Sequence, residues 1–335
     1  MTRALITGIS GFVGSHLAEY LIEHTDWEID GLIRWRSPLD NLQAIVPLAN
    51  EEKRVRFLYA DLLDSAAMER CVAASTPDYV FHLAAQSFPL FSFNAPLTTL
   101  DANVQGTVRL LEALKEYAPS ALIHVCSSSE VYGKTPAHLL PIKEDCPFHP
   151  ASPYAISKVG TDLVAQHYAE AYGMNIQVTR MFTHTGPRRG DVFAESSFAK
   201  QIAMLECGML TGPVMVGNLE SMRTVADVRD AVRAYHMLLT VNPKPGAVYN
   251  IGGAHSCTVR EILQTLASMA EGGAHLRYRE DPARLRPIDA DNQIPDCTKF
   301  KEATGWEPQI PFNQTMSDLL NDWRARVRRS IPLQR

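Results

Sequence analysis

The sequence has no C-x-x-C pair, no H-E-x-x-H spacing and no uninterrupted apolar run of about 18 residues. Its six cysteines (Cys71, Cys126, Cys146, Cys207, Cys257 and Cys297) are scattered over 335 residues, which speaks against a disulfide framework and for reduced thiols. With no zinc-like or metalloprotease-like spacing, no metal site is expected. The missing apolar run leaves no transmembrane helix, and the start Met1-Thr2-Arg3-Ala4 lacks the h-region and cleavage site of a secretory signal. A soluble, cytoplasmic protein is expected. An excess of positive charge is missing too: Lys plus Arg is 32 against 37 for Asp plus Glu, a net charge of −5. Bulk charge therefore disfavours a nucleic-acid or anionic-membrane partner, while a small anion held by local groups stays open. There is no internal repeat and no low-complexity segment. At 46% apolar and 21% charged residues, the chain is ordinary globular protein, long enough for one large or two moderate domains.

What is present is an alternation. Apolar runs at 3–7, 28–33, 55–60, 78–84, 121–126 and 176–182 read as strands. Between them, about 12–23, 65–74, 98–117 and 153–172 carry apolar residues at helical spacing. Such alternation predicts βαβ units and a mostly parallel sheet covered on both faces. The second half is less regular, with helices expected over 196–207, 227–240, 259–271 and 313–328 and a strand over 246–252. Pro and Gly punctuate its connections, which suits a smaller lobe. The arginines Arg324, Arg326, Arg328 and Arg329 read as a solvated helix face.

Thr7-Gly8-Ile9-Ser10-Gly11-Phe12-Val13-Gly14 sits between the first strand and the first helix. Glycines there permit a tight turn, let backbone approach a pyrophosphate, and let the helix pack close to the strand. The helix N-terminus then offers free N–H groups to phosphate, so Gly8, Ser10, Gly11, Phe12, Val13 and Gly14 are expected at a dinucleotide. The spacing is G-x-x-G-x-x-G rather than the common G-x-G-x-x-G. The second strand ends in Arg34-Trp35-Arg36 with no acid, which favours NADP over NAD through Arg34 and Arg36. Asp61 and Leu62 suit the adenine edge. Leu83, Ala84, Ala85 and Ser87, at the carboxyl end of the fourth strand, line the cofactor, and Thr98 joins this set.

Tyr154 and Lys158 stand at i and i+4, on one face of the helix after Ser152-Pro153. An ammonium near a phenol favours the phenolate and makes the pair a base near neutral pH. The strand before that helix ends in Cys126-Ser127-Ser128-Ser129-Glu130-Val131-Tyr132-Gly133, placing hydroxyls and one carboxylate at a carboxyl end.

These motifs, in this order and across nearly the whole chain, resemble the extended short-chain dehydrogenase/reductases that act on nucleotide sugars. Within them the chain is most similar to the GDP-mannose 4,6-dehydratase group, through Leu83–Phe88, Ser128–Gly133, Phe182–Gly190 and Val216–Glu220. The resemblance implies a Rossmann-type doubly wound α/β sheet with a smaller mixed α/β lobe. Residues 1–185, with 225–254 returning, would bind NADP; 186–224 and 255–335 would bind the nucleotide sugar. It implies that Tyr154 takes the 4-hydroxyl proton of a GDP-sugar as hydride leaves C4. Glu130 then removes the C5 proton and helps expel the C6 hydroxyl as water, and hydride returns to C6. Ser128 would hydrogen-bond the 4-oxygen, and Lys158 would hold the nicotinamide ribose and lower the Tyr154 pKa. His184 and Arg189 match positions that contact NADP. Ser87, Thr183 and Asn218 fall on the substrate side, with Arg223 and Arg286 near the nucleotide diphosphate.

Two positions depart from the dehydratase pattern: Ser128 stands for Thr and Thr183 for Asn. The Arg223–Asp230 stretch and the spacing from Glu130 to Tyr154 are more similar to GDP-4-keto-6-deoxymannose reductases. An NADPH-dependent reductase or epimerase is therefore the alternative, and a non-catalytic sugar-nucleotide binder a third reading. The resemblance also implies a homodimer or homotetramer.

Overall fold

A computed structural model describes residues 1–51, 54–271 and 276–330. Its strands are β1 (Arg3–Thr7), β2 (Glu28–Ile33), β3 (Val55–Tyr59), β4 (Tyr79–His82), β5 (Leu122–Cys126), β6 (Ile176–Met181), β7 (His184–Thr185), β8 (Val214–Val216), β9 (Met222–Asp227), β10 (Val248–Ile251), β11 (His255–Thr258), β12 (Tyr278–Glu280) and β13 (Asn292–Gln293). Its α-helices are α1 (Phe12–His24), α2 (Val46–Asn50), α3 (Ser65–Ser75), α4 (Pro89–Asn94), α5 (Pro96–Leu100), α6 (Gly106–Tyr117), α7 (Pro153–Tyr172), α8 (Ala194–Glu206), α9 (Val228–Thr240), α10 (Val259–Ser268), α11 (Thr298–Thr304) and α12 (Phe312–Ser330).

Seven strands pair, all parallel, in the order β10-β6-β5-β4-β1-β2-β3. This is the doubly wound Rossmann order, reversing at β1, where such sheets bind dinucleotides. Alternation along the strands feeds two cores. Ala4, Ile6, Ile29 and Phe81 pack against α1 and α9, with Leu17, Leu21, Tyr235 and Leu238. Leu5, Leu32, Val80, Ile123 and Val125 face the other side, against Met68 and Val72 of α3 and Leu110 and Leu114 of α6. Burying one such side chain stabilises by about 1.5–3 kcal/mol, so a one-residue slip of any strand is prohibited.

A third apolar cluster lies apart from the sheet and joins α8, α10 and α12 through Phe198, Ile202, Leu263, Leu266, Met316 and Leu320. Small sheets flank it, β11-β9-β13 with β7 on β9, and β12-β8. Residues 272–275 and 331–335 of the expected sugar-binding stretch lie outside the described residues. Of the terminal arginines, Arg328 and Arg329 are exposed on the expected solvated face, and Arg324 departs from it. Arg324 forks onto Glu206 at 2.8 and 2.7 Å and pins α12 to α8, while Arg326 pairs with Asp322 at 2.9 Å. Among the described residues no helix is long and apolar enough to cross a membrane.

Candidate active site

One cleft of about 1100 Å³ runs from the turn after β1, past the carboxyl ends of the central strands, to the small lobe. The turn is possible because Gly8 has φ +73°, a left-handed conformation, and because a Cβ there would stand 2.9 Å from Ala84 Cα. A Cβ on Gly14 would meet the Gly8 carbonyl oxygen at 2.3 Å, so only glycine lets α1 start this close to β1. Gly11 caps α1 without a side-chain hydrogen bond, leaving the first-turn N–H groups free for phosphate. This cradle and the length of the cleft fit a dinucleotide.

Every residue expected at the cofactor or substrate borders this cleft, Arg36 excepted. Ser37 N–H donates to the Arg34 carbonyl at 2.9 Å, and that turn brings Arg34 and Ser37 to the cleft while Arg36 faces solvent. Deeper in, Arg189 lies 3.4 Å over the Phe193 ring and 5.1 Å over Phe12, and pairs with Glu195 at 3.3 Å. His184 stacks on the other side of this pile, 5.9 Å from Phe12, and burial pushes its imidazole down to about 4. It is therefore neutral near pH 7.

Helix α7 carries the phenol and the ammonium. Ser152 caps it, accepting the Ala155 N–H at 3.0 Å, and Pro153 fills its first turn, where no N–H is needed. Ser128 caps the 3-10 turn Ser129–Tyr132, accepting the Glu130 N–H at 3.2 Å, and its hydroxyl pulls the Tyr154 phenol pKa down. Hydroxyl, phenol and carboxylate thus meet at the end of β5. The electrostatics differ from the expectation that Lys158 lowers the Tyr154 pKa. Burial raises the phenol well above its usual value, against smaller downward pulls from Ser128 and Arg189. The Lys158 Nζ donates to the Cys126 carbonyl at 2.7 Å, and burial lowers its own pKa.

Arg286 is a second departure. Its Nη1 sits on the Glu130 carboxylate, 3.2 Å from Oε1 and 3.5 Å from Oε2. Arg223 and Asp289 stand beside this pair, 3.8 Å apart, and Asn218 donates to Asp289 at 2.9 Å.

Asp289, Arg284 and Asn103 were assigned no site role from the sequence. Arg284 donates to Ser197 at 2.8 Å on the lobe side. Asn103 lies in a π-turn (Asp101–Gln105) that interrupts the expected 98–117 helix. Its side chain accepts the Gln86 N–H at 2.7 Å and donates to the Gln86 carbonyl and to Ser157 Oγ, each at 2.9 Å. Ser157 in turn donates to the Tyr154 carbonyl at 2.7 Å, so this one amide ties the cofactor loop to the phenol's helix. A polar residue on the buried face of a helix was the available signal.

A family model described as GDP-mannose 4,6 dehydratase matches residues 5–319. The chain belongs to that family. It is 34% identical over 327 residues to GDP-6-deoxy-D-mannose reductase of Pseudomonas aeruginosa, covering 97% of this chain and 98% of that one. It is also 34% identical over 332 residues to GDP-mannose 4,6 dehydratase 2 of Arabidopsis thaliana, covering 95% and 86%. Among solved structures, RMD from Pseudomonas aeruginosa complexed with NADPH superposes with a TM-score of 0.82 at 31% identity, over 97% of this chain and all of that one. Dehydratase and reductase relatives thus stand at equal identity, and the division between them rests on the site. A carboxylate beside a phenol and a hydroxyl is equipped for elimination as well as for carbonyl chemistry.

Proposed function

We propose that the protein is a nucleotide-sugar 4,6-dehydratase that converts a GDP-sugar, GDP-mannose or a close relative, to the GDP-4-keto-6-deoxy sugar. The observation that carries this is the meeting of Ser128, Glu130 and Tyr154 at the end of β5, in a cleft whose other end is the glycine cradle. Ser128 and Tyr154 bond the substrate 4-oxygen together, and Tyr154 takes its proton. A dinucleotide held in the glycine cradle would supply reversible hydride storage between C4 and C6, so no net reductant would be consumed. Glu130 removes the C5 proton that the 4-ketone has acidified. The same carboxyl then protonates the departing C6 hydroxyl, one water leaves, and the proton held by Tyr154 returns to C5 as C6 is reduced. Arg34 and Ser37 at the cleft support NADP as the cofactor. Residues 1–185 with 225–254 serve it, the remainder serves the sugar nucleotide, and the free cysteines suit the cytoplasm.

Mass spectrometry after incubation with GDP-mannose is the test. A product lighter by one water, with no net NADPH oxidation, is expected; an unchanged substrate overturns the reading. The second reading, reduction of a 4-keto-6-deoxy sugar, is favoured by the reductase relative. Stoichiometric NADPH consumption with that substrate would establish it instead.

We also propose a homodimer. Ile156 and Leu163 on α7 and Leu97 on α5 are 51%, 52% and 74% exposed, forming an apolar face that a second copy would cover. Light scattering at micromolar concentration should return twice the chain mass, and a monomer there rejects it.

A further inference from the structure

Glu130, Asp289, Arg223 and Arg286 form a quartet of zero formal charge in the cleft. Its four members are held unequally. Arg223 Nη1 donates to two carbonyl oxygens, of Met222 at 2.8 Å and Ala290 at 2.7 Å, which fixes its guanidinium in place. Among the described residues, Arg286 is bound only through the carboxylates of Glu130 and Asp289. Its hydrogen bonds to Glu130 leave from a single nitrogen and are lopsided, and Asp289 Oδ1 is 4.0 Å from that same nitrogen. A two-nitrogen fork would be the strong arrangement, as Arg180 makes with Asp162 at 2.9 and 3.1 Å. Arg286 is therefore the displaceable cation. While it sits on Glu130, both oxygens of the proposed base face a guanidinium instead of a substrate C–H.

We propose that Arg286 masks Glu130 in the ligand-free protein and moves onto the diphosphate of the arriving nucleotide sugar, unmasking the carboxylate only in the substrate complex. This rests on the nucleotide-sugar reading above. Its logic is charge balance. A diphosphate brings about two further negative charges to a quartet that is already neutral, and the cation with the weakest bonds is the one that can turn to it. The groups facing Glu130 across the cleft are Tyr154 from α7, Arg223 from β9, and Arg286 and Asp289 from the lobe segment before β13. The exchange couples binding to chemistry, because the base is free when, and only when, the sugar is anchored.

Competition of this kind has a signature in binding alone. Calorimetric titration of the full-length protein with GDP, which lacks the sugar, should give tighter binding to Glu130→Gln than to the unaltered chain, by about 5- to 20-fold. Removing a negative charge would aid any anion, so the deciding measurement is the double-mutant cycle. In an Arg286→Gln background the Glu130→Gln substitution should change GDP affinity by less than about 2-fold. Arg286→Met serves as the second background, with thermal unfolding confirming that each variant is folded. The same gain in both backgrounds overturns the exchange and leaves only a field effect. Absence of GDP binding by the unaltered protein overturns the nucleotide reading beneath it. Coupling without water loss from GDP-mannose would keep the exchange and reject the dehydratase.

Discussion

Glu130→Gln should lower kcat for water loss from GDP-mannose by about 10²- to 10⁴-fold, the usual worth of a positioned general base. The amide keeps the shape of the side chain and its backbone N–H bond to Ser128, so the 3-10 turn and the Tyr154 contact stay in place. What it loses is the lone pair that takes the C5 proton and the acid that protonates the leaving hydroxyl. KM should not rise, because the nucleotide is held elsewhere in the cleft. Run in D₂O, the unaltered protein should give product with one solvent deuterium at C5, and that incorporation should vanish in step with the rate. Reduction of a 4-keto-6-deoxy sugar needs no C5 deprotonation. A variant that keeps full turnover of GDP-mannose would remove Glu130 from the chemistry and give the C5 proton to another group.

The legible part of this molecule was the part that is buried and periodic. All seven strands of the large sheet read as apolar runs because both their faces are covered by helices. The strands of the lobe were all missed, β8 and the six-residue β9 included. β7, β12 and β13 have two or three residues and β11 reads His-Ser-Cys-Thr, too short or too polar for a period to register. The helix expected over 98–117 was interrupted at Asn103 by a π-turn that satisfies a loop carbonyl and amide, a demand made by Gln86 and invisible in local spacing. Arg34 and Arg36 were equivalent as sequence, since both follow β2; a hydrogen-bonded turn decides which one meets the cleft. Arg286 could be placed near the ligand by resemblance. Its partner Glu130, 156 residues away, could not, because an ion pair across two lobes leaves no local pattern.

Asp162→Ala should lower the free energy of unfolding by about 3–5 kcal/mol, since it strands a buried guanidinium without its counter-ion. Asp162 is wholly inaccessible to solvent and the Arg180 side chain is 5% exposed. Arg180 is committed on its other side as well: Nη1 donates to Tyr132 Oη at 2.9 Å and to the Glu144 carbonyl at 2.7 Å, and the guanidinium lies 4.6 Å over the Phe148 ring. Tyr132 then donates to Asn250 Oδ1 at 2.8 Å. The charge cannot relax to water without opening this whole set, so the penalty stays local and large. A domain's total stability is about 5–15 kcal/mol, and a loss of this size removes a large share of it. Catalysis should suffer before unfolding does. Asp162 is one helical turn beyond Lys158 and two beyond Tyr154 on α7, and Tyr132 closes the turn that carries Glu130. Asp162→Asn with Arg180→Gln, which removes both charges while keeping hydrogen-bonding capacity, should lose less than the sum of the single substitutions. Urea unfolding of the five proteins measures it, and a loss below about 1 kcal/mol in Asp162→Ala would show that this pair does not hold α7 against the site.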